Sequence, residues 1–282
     1  MRYCHGMKLG EYTTPEEWVA VVKARGFTSS HPPVSEDASD EVIAAYVKAA
    51  EENDIVINEV GAWRNMMDPN PATAKDAEDF VLKRFRFAEK IGAKCFVTIA
   101  GSRGSFPGGL KWSHADNFSK KTFEMTVKRI QFLIDTVQPK NTYFTLEPMP
   151  TVFPHTTDSY LELLEAVDRE RFAVHADIVN MIWSVDKYYN NTEVTLEFFE
   201  KLGKYVKACH IKDVILTEGL PLQLVETCPG RGHFDIGTYL EEIDKLDPDM
   251  PLILEHQHKP ELFEEGWTHI QKIATLKGIN IK

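Results

Sequence analysis

The feature that most restricts what this chain can fold into is a regular alternation of short apolar runs and amphipathic helical stretches. Eight runs rich in β-branched and aromatic residues have the composition of strands. They cover residues 2–5, 27–31, 55–60, 95–100, 143–147, 172–177, 206–212 and 252–255. Several are almost continuously apolar, which is typical of parallel strands buried on both faces. The alternation therefore predicts a parallel sheet covered by helices.

The segments between these runs carry the start signals and apolar stripes of helices. Thr14-Pro15-Glu16-Glu17 has the pattern of a capping box with a proline in the first turn. The 282 residues divided by eight give about 35 per unit, and about 250 residues is typical of a (β/α)8 barrel. We therefore predict a single domain, a (β/α)8 barrel over residues 1–282. The alternative, an open doubly wound sheet, normally has a GxGxxG turn after its first strand, and residues 5–9 lack it.

Charge and hydropathy exclude several kinds of partner. The chain has 32 basic and 43 acidic side chains and a net charge of -11, and such a surface repels phosphate backbones. The apolar runs are far too short to cross a bilayer, and the first residues lack the apolar core of a signal peptide. Four scattered cysteines without a CxxC pair favour reduced thiols. We expect a cytoplasmic protein that binds neither nucleic acid nor membrane.

Four residues of metal-ligand type close four consecutive predicted strands. Glu147, Asp177, His210 and Glu255 follow one another at spacings of 30, 33 and 45 residues. In a barrel, residues at equivalent heights on neighbouring strands converge on the axis, at the end where barrel enzymes keep their active sites. The chain has two long connections, residues 101–115 and 214–231. The third spacing is the longest because it contains residues 214–231.

Three carboxylates and one imidazole at one point would repel one another without a positive charge between them. Each residue alone is more simply explained as an ordinary polar residue at a strand end. Four unpaired polar groups after apolar strands would be costly together, which favours a metal site. The set of three oxygen donors and one nitrogen donor suits Mn²⁺ best, with Mg²⁺, Co²⁺ or Zn²⁺ as alternatives.

The motifs around these residues resemble those of a known superfamily. They are Leu-Glu-Pro-Met (146–149), Asp-Ile-Val-Asn (177–180), His-Ile-Lys-Asp (210–213) and Leu-Glu-His (254–256). In this order they are similar to the xylose isomerase-like TIM barrels, which include sugar isomerases, ketohexose 3-epimerases and AP endonuclease family 2. The resemblance implies that the four residues bind one divalent metal. It also implies that Glu147 and Glu255 exchange protons on opposite faces of a sugar through an enediolate.

Further motifs resemble one subgroup more than the ketose epimerases. In the ketose epimerases, three positions usually hold a second glutamate, a histidine and an arginine. In this chain the first position falls near Phe153, the second is Asn180, and the third falls near Leu216. Residues 59–63, 167–172 and 229–232 instead resemble sugar phosphate isomerase/epimerase-like proteins near the catalytic subunits that cleave 3-oxo-C-glycosides. That subgroup implies a shared enolate step followed by elimination.

Several other residues are candidates for the site, each with a plainer alternative. His155 lies in a proline-stiffened loop and could act as a general base, or be a solvated loop residue. Asp213 could orient His210, or form a strand-end ion pair with its neighbour. Tryptophans 63, 112 and 183 could form an aromatic wall, or pack within loops. The predicted substrate-binding residues are Lys212, Arg231, Glu59, Trp112 and Asn180.

Four functions from different classes remain open at this point. The first is a metal-dependent sugar isomerase or epimerase that removes a proton next to a carbonyl. The second is a lyase acting on 3-oxo-glycosides, which could need a small partner subunit. The third, an AP endonuclease-like nuclease, is opposed by the acidic charge and the lack of a basic stripe. The fourth, an inactive binding barrel, is opposed by the intact ligand quartet. We predict the first, on a small-molecule sugar or glycoside and in a homo-oligomer.

Overall fold

The computed structural model describes residues 1–104 and 113–282, in which strands and helices alternate. The strands are β1 (Arg2–His5), β2 (Ser29–Ser30), β3 (Val56–Ile57), β4 (Glu59–Ala62), β5 (Cys95–Thr98), β6 (Tyr143–Leu146), β7 (Phe172–Ala176), β8 (Val206–Ile211), β9 (Asp213–Leu216), β10 (Leu224–Thr227) and β11 (Pro251–Leu254). The helices are α1 (Pro15–Ala24), α2 (Asp40–Glu52), α3 (Pro71–Ile91), α4 (Lys120–Val137), α5 (Thr157–Val167), α6 (Val185–Tyr189), α7 (Asn191–Leu202), α8 (Ile236–Asp244) and α9 (Pro260–Lys277). No helix in these two ranges is long and apolar enough to cross a membrane.

The strands form a curled parallel sheet in the order β1-β11-β8-β7-β6-β5-β4. A second parallel pair, β2-β3, continues it, because only Asn58 separates β3 from β4 and the Asn58 amide donates to Ser29 Oγ at 3.3 Å. Phe27, beside β2, packs edge-on against Tyr3 and His5 of β1. The predicted (β/α)8 TIM-barrel fold is confirmed, and each of the eight predicted runs contains a strand.

Two details differ from the sequence prediction. The run 55–60 is interrupted at Asn58, whose side-chain oxygen accepts a hydrogen bond from Glu59 N and breaks the regular strand. The long connection 214–231 contains an antiparallel hairpin, β9-β10, in which Thr227 pairs with Asp213 and Leu224 with Leu216. This hairpin extends from the end of β8 over the carboxyl-terminal mouth of the barrel.

Two buried tyrosines attach helices to the strands that precede the mouth. The Tyr160 hydroxyl, on α5, donates to Leu146 O of β6 at 2.7 Å and accepts from His175 N of β7 at 3.1 Å. The Tyr239 hydroxyl, on α8, donates to His210 O of β8 at 2.8 Å. These bonds hold the ends of three neighbouring strands in position, because a buried carbonyl without a partner is unfavourable.

The Pro-Gly-Arg-Gly turn at residues 229–232 is held by one buried carboxylate. Asp213 accepts hydrogen bonds from the backbone N–H groups of Val214, Gly230, Gly232 and Phe234, at 2.8 to 3.0 Å. A Cβ at position 232 would lie 2.2 Å from Asp213 Oδ1, so only glycine fits there. Of the two roles considered for Asp213, orienting His210 or forming a strand-end ion pair, the structure shows neither, because its oxygens accept from these backbone groups.

We expect Asp213→Ala to lower the free energy of unfolding by about 3 kcal/mol or more, since several buried N–H groups would lose their acceptor at about 1–3 kcal/mol each. Urea unfolding followed by circular dichroism measures this change. Asp76→Ala, at an exposed position of α3, is the matched control and should stay within about 0.5 kcal/mol of the wild type. Equal stability of the two variants would contradict the assigned role of Asp213.

Candidate metal centre

The four residues predicted as ligands come together at the mouth of the barrel. Glu147, Asp177 and Glu255 each follow the last residue of a strand, and His210 lies within β8. All four are buried, and one ligand atom from each lies within 4.8 Å of those of the others. His210 Nδ1 is 2.9 Å from Glu255 Oε2, 3.8 Å from Asp177 Oδ2 and 3.9 Å from Glu147 Oε1. One cation could contact all four side chains.

The donor set fits a divalent cation on two observations. First, His210 Nδ1 is buried and lies 2.9 to 3.9 Å from one oxygen of each of the three carboxylates. Burial lowers the pKa of His210, but the charges of Glu255 and Glu59 outweigh this and raise it well above its usual value. This nitrogen is therefore placed to bind a positive species, either a proton or a cation. Second, the carboxylates of the quartet outnumber the one ammonium among them, that of Lys212, so a divalent cation would offset excess negative charge.

Glu59 holds the far side of the His210 ring. Its Oε1 lies 3.2 Å from His210 Nε2, and its Oε2 lies 3.0 Å from His175 Nε2. Burial alone would raise the pKa of Glu59, but the two imidazoles outweigh this and hold the pKa well below its usual value. A carboxylate on the second ring nitrogen fixes the orientation and tautomer of a ligating histidine. Glu59 was predicted to bind substrate, but both its oxygens are engaged by imidazoles.

Lys212 is buried among the carboxylates. Its Nζ donates to Asp177 Oδ2 at 2.7 Å and to Glu255 Oε1, and lies 3.3 Å from Glu226 Oε1. Burial lowers the pKa of Lys212, but the charges of Asp177 and Glu255 raise it well above its usual value. The prediction that Lys212 contacts substrate is corrected, because its three donors already face carboxylates. The residue instead balances charge.

Two donors fix the Glu147 carboxylate. Trp63 Nε1 donates to Oε2 at 2.5 Å, and Asn180 Nδ2 donates to Oε1 at 3.0 Å. The Trp63 ring covers Gly61 so closely that a Cβ there would lie 2.0 Å from the ring, which explains the glycine of the Glu-Val-Gly-Ala-Trp motif. Asn180, predicted to bind substrate, lines the second pocket and holds the Glu147 carboxylate.

The two glutamates differ in their electrostatic surroundings. Burial, followed by the charge of Glu255, raises the pKa of Glu147 to about 7. Burial also raises the pKa of Glu255, but His210 and Lys212 outweigh it and hold that pKa below its usual value. The proton affinities of two carboxylates at one site are thus set in opposite directions by their neighbours.

Two pockets meet at this cluster, and Met149 lines both. The first, here called the polar pocket, has a volume of about 480 Å³. It is lined by Gly6, His31, Pro32, Val34, Glu59, Gly61, Trp63, Arg84, Glu147, Met149, His210, Ile253, Glu255 and His256. The second, here called the hairpin pocket, has a volume of about 700 Å³ and lies against the β9-β10 hairpin.

Three predicted site residues are not placed at the cluster. The His155 ring packs against Phe118 and Phe153, and its burial lowers its pKa. It borders neither pocket in the part of the chain that is described. Arg231 is exposed and binds both carboxylate oxygens of Glu265 on α9 at 2.6 Å, which corrects its predicted role at the substrate. Trp112 lies outside the described residues.

A family model described as xylose isomerase-like TIM barrel matches residues 19–273. The chain therefore belongs to the xylose isomerase-like TIM barrel family, which confirms the resemblance of the motifs. Comparison with curated protein sequences gives no significant match.

Several solved structures have the same fold at low sequence identity. A D-psicose 3-epimerase from Clostridium cellulolyticum H10, solved with D-tagatose, has a TM-score of 0.68 and 13% identity over 99% of this chain and 100% of its own. The 3-keto-D-glucoside 4-epimerase of E. coli has a TM-score of 0.64 and 11% identity over 96% and 99%. A xylose isomerase-like TIM barrel protein from Mycobacterium smegmatis, in complex with magnesium, has a TM-score of 0.66 and 13% identity over 94% and 90%. At these identities the likeness shows the fold alone.

We expect Mn²⁺ to stabilise the protein through His210. At a free concentration of about 100 times its Kd, a bound ligand adds about 2.7 kcal/mol to the free energy of unfolding. Thermal unfolding with and without Mn²⁺, and after chelation with EDTA, measures this gain. It should disappear in His210→Ala and persist in His114→Ala, whose side chain is half-exposed and distant from the cluster in sequence. Retention of the full gain in His210→Ala would contradict the ligand assignment.

The orienting role of Glu59 predicts a change in metal affinity with little change in fold. Glu59→Gln replaces an acceptor shared by two imidazoles with a neutral amide of the same shape. We expect Mn²⁺ affinity, measured by isothermal titration calorimetry, to fall about 10- to 100-fold. Glu200→Gln, at an exposed glutamate of α7, is the control and should keep wild-type affinity. An unchanged affinity in Glu59→Gln would refute the orienting role.

Proposed function

We propose that this member of the xylose isomerase-like TIM barrel family is a divalent-metal-dependent enzyme that removes a proton from a carbohydrate carbon next to a carbonyl group. Glu147, Asp177, His210 and Glu255 would hold the metal, with Mn²⁺ preferred and Mg²⁺, Co²⁺ or Zn²⁺ as alternatives. The observation that carries the proposal is the position of His210 Nδ1, which faces three buried carboxylates at one wall of an open pocket. A divalent cation bound there supplies Lewis-acid polarisation of a carbonyl and its neighbouring hydroxyl.

The three carboxylates have different access to a substrate. Glu147 and Glu255 line the polar pocket, whereas Asp177 is not among the lining residues. Asp177 accepts from Lys212 Nζ at 2.7 Å and from Asn180 N at 3.2 Å, on the side of the cluster that does not line this pocket among the described residues. We therefore assign the proton transfers to Glu147 and Glu255, from two sides of the pocket, and a purely ligating role to Asp177.

The first candidate reaction is isomerisation or epimerisation, in which the proton is returned to the sugar. The epimerases among the structures with the same fold favour it as an analogy only. The second candidate is a lyase on 3-oxo-glycosides, in which the same proton abstraction is followed by loss of the group attached to the sugar. The hairpin pocket favours this alternative, because it adjoins Glu147 through Asn180 and gives a departing group a place to lie.

Other properties of the proposed enzyme follow from composition and burial. The four cysteines are free thiols and buried, which suits the reducing cytoplasm that we propose as its location. A nuclease is disfavoured by the net charge of -11. We further propose that the enzyme is a homo-oligomer and, if it is a lyase, that it binds a small partner subunit. The molecular mass of the particle in solution measures both.

We expect the Mn²⁺-loaded protein in D2O to act on a member of a panel of free sugars, sugar phosphates and 3-oxo-glycosides. Deuterium at a sugar carbon, detected by NMR, indicates the isomerase or epimerase, and release of the aglycone indicates the lyase. Glu147→Gln should lower the rate at least about 100-fold, because general base catalysis contributes about 10²–10⁴-fold. Glu162→Gln, at an exposed glutamate of α5, should keep the wild-type rate. Wild-type exchange in Glu147→Gln would overturn the assignment.

A further inference from the structure

His256 has an unusual backbone conformation at the mouth of the barrel. It lies two positions after the end of β11, and its φ of +56° is in the left-handed region that residues other than glycine rarely adopt. Three other non-glycine residues of the described chain share this region, and each follows the carboxyl end of a helix: Asp54, Gln138 and Asp168. A left-handed residue commonly ends a helix, but His256 follows a strand. Helix termination therefore does not explain its conformation.

Glu226, on β10 of the hairpin, holds the His256 ring. Its Oε2 lies 2.6 Å from His256 Nδ1, and its Oε1 lies 3.3 Å from Lys212 Nζ, so each oxygen has a partner. Burial raises the pKa of Glu226, but the bond to His256 and the charge of Lys212 outweigh this and lower that pKa to about 2. Glu226 is therefore an anion, and a carboxylate at Nδ1 accepts the proton that Nδ1 carries.

The other ring nitrogen of His256 is left for a ligand. Nε2 makes no hydrogen bond to a residue that the structure describes, and the side chain is 40% exposed. His256 lines the polar pocket, and its Nδ1 lies 3.5 Å from Glu255 Oε1, on one of the two carboxylates to which we assign proton transfer. A ring held at Nδ1 by Glu226 presents Nε2 on its far side, away from the hairpin. A molecule that lies at Glu255 therefore has this nitrogen beside it.

Other polar side chains of the same pocket are already bound to the protein. Both oxygens of Glu59 face imidazoles, and Trp63 Nε1 donates to Glu147 Oε2. A carbohydrate has hydroxyl groups beyond those at its reacting carbons, and each needs a hydrogen-bond partner when it leaves water. His256 Nε2 meets this need in either charge state of the ring, because a hydroxyl group both donates and accepts.

We propose that His256 binds a hydroxyl group of the carbohydrate through Nε2, and that Glu226 is the positioning residue that holds the ring for this contact. The inference rests on the proposed function, which places a carbohydrate in the polar pocket. The substrate then has at least one hydroxyl group beyond the pair that the metal would bind. Among the described residues, no member of the hairpin lines the polar pocket, so the hairpin acts on the substrate there through His256.

Asparagine at position 256 separates this role from a structural one. Its amide can replace Nδ1 as the donor to Glu226, and asparagine tolerates a left-handed backbone, but it has no group at the position of Nε2. The test measures the affinity of the Mn²⁺-loaded protein for D-fructose and for its 3-, 4-, 5- and 6-deoxy analogues by isothermal titration calorimetry. We expect an analogue that binds the wild type about fivefold or more weakly than D-fructose, as loss of one hydrogen bond implies. In His256→Asn the affinities for D-fructose and this analogue should agree within about twofold.

His114→Asn is the matched control. It is the same substitution at a side chain that lines neither pocket, and asparagine can keep the cap that His114 gives to Asp116 N. This variant should keep the wild-type ratio of affinities. Glu226→Ala should weaken the binding of D-fructose, and adding it to His256→Asn should bring no further loss, because both changes remove the same contact. The Mn²⁺ affinity of His256→Asn should stay at the wild-type value, since His256 is not a proposed ligand.

Each other outcome overturns the inference. These outcomes are no binding of D-fructose by the wild type, equal binding of D-fructose and every analogue, or an unchanged ratio in His256→Asn. A parallel loss of Mn²⁺ affinity in His256→Asn would assign the residue to support of the metal ligands instead. The deuterium-exchange assay separates the two proposals. Exchange or release with an unchanged ratio in His256→Asn removes only this inference, and a ratio that depends on His256 without exchange or release removes only the proposed function.

Discussion

The mutual repulsion of three carboxylates at one end of the barrel is the constraint on which the rest of the site depends. Glu147, Asp177 and Glu255 are buried, with one oxygen of each within 4.8 Å of the others. At an effective dielectric constant of about 20, each pair at that separation costs roughly 3–4 kcal/mol, or roughly 10 kcal/mol for the three. That is comparable to the whole net stability of a typical domain, about 5–15 kcal/mol. Lys212 offsets part of this cost and leaves two negative charges for a divalent cation.

The surrounding structure serves to keep these groups in place against that repulsion. The hydroxyls of Tyr160 and Tyr239 bind strand-end carbonyls and hold β6, β7 and β8 at fixed positions along the barrel axis. The carboxylates and the imidazole at the ends of these strands therefore stay at the same height. Glu59 fixes the ring of His210 from inside the barrel, and Trp63 fixes Glu147 from the mouth. Each of the four proposed ligands has a hydrogen bond or ion pair to another residue, so its side chain is already oriented before a cation binds.

The sequence predicted that the four proposed ligands would lie together, but it did not predict the residues that hold them. The two sets depend on signals of different range along the chain. The quartet follows from local signals, since each member closes an apolar run and the runs recur at about one unit. The holding contacts are non-local: Trp63 and Glu147 are 84 residues apart, and Glu59 and His210 are 151 apart. Nothing in a strand pattern specifies which side chain meets another across a barrel. The exposed pairing of Arg231 with Glu265 and the packing of His155 among phenylalanines were missed for the same reason.

The placement of Lys212 gives the three carboxylates of the site different electrostatic surroundings. The ammonium binds Asp177 and Glu255, whereas Glu147 is held by the neutral donors Trp63 and Asn180. Positive charge is therefore closer to Asp177 and Glu255 than to Glu147. Glu147 is left as the carboxylate with the raised pKa and with an open pocket beside it. In the proposed function, a carbohydrate that enters from the polar pocket would meet this carboxylate and Glu255. The asymmetry of charge, more than the identity of the four ligands, distinguishes a site for proton transfer from a site that only stores a cation.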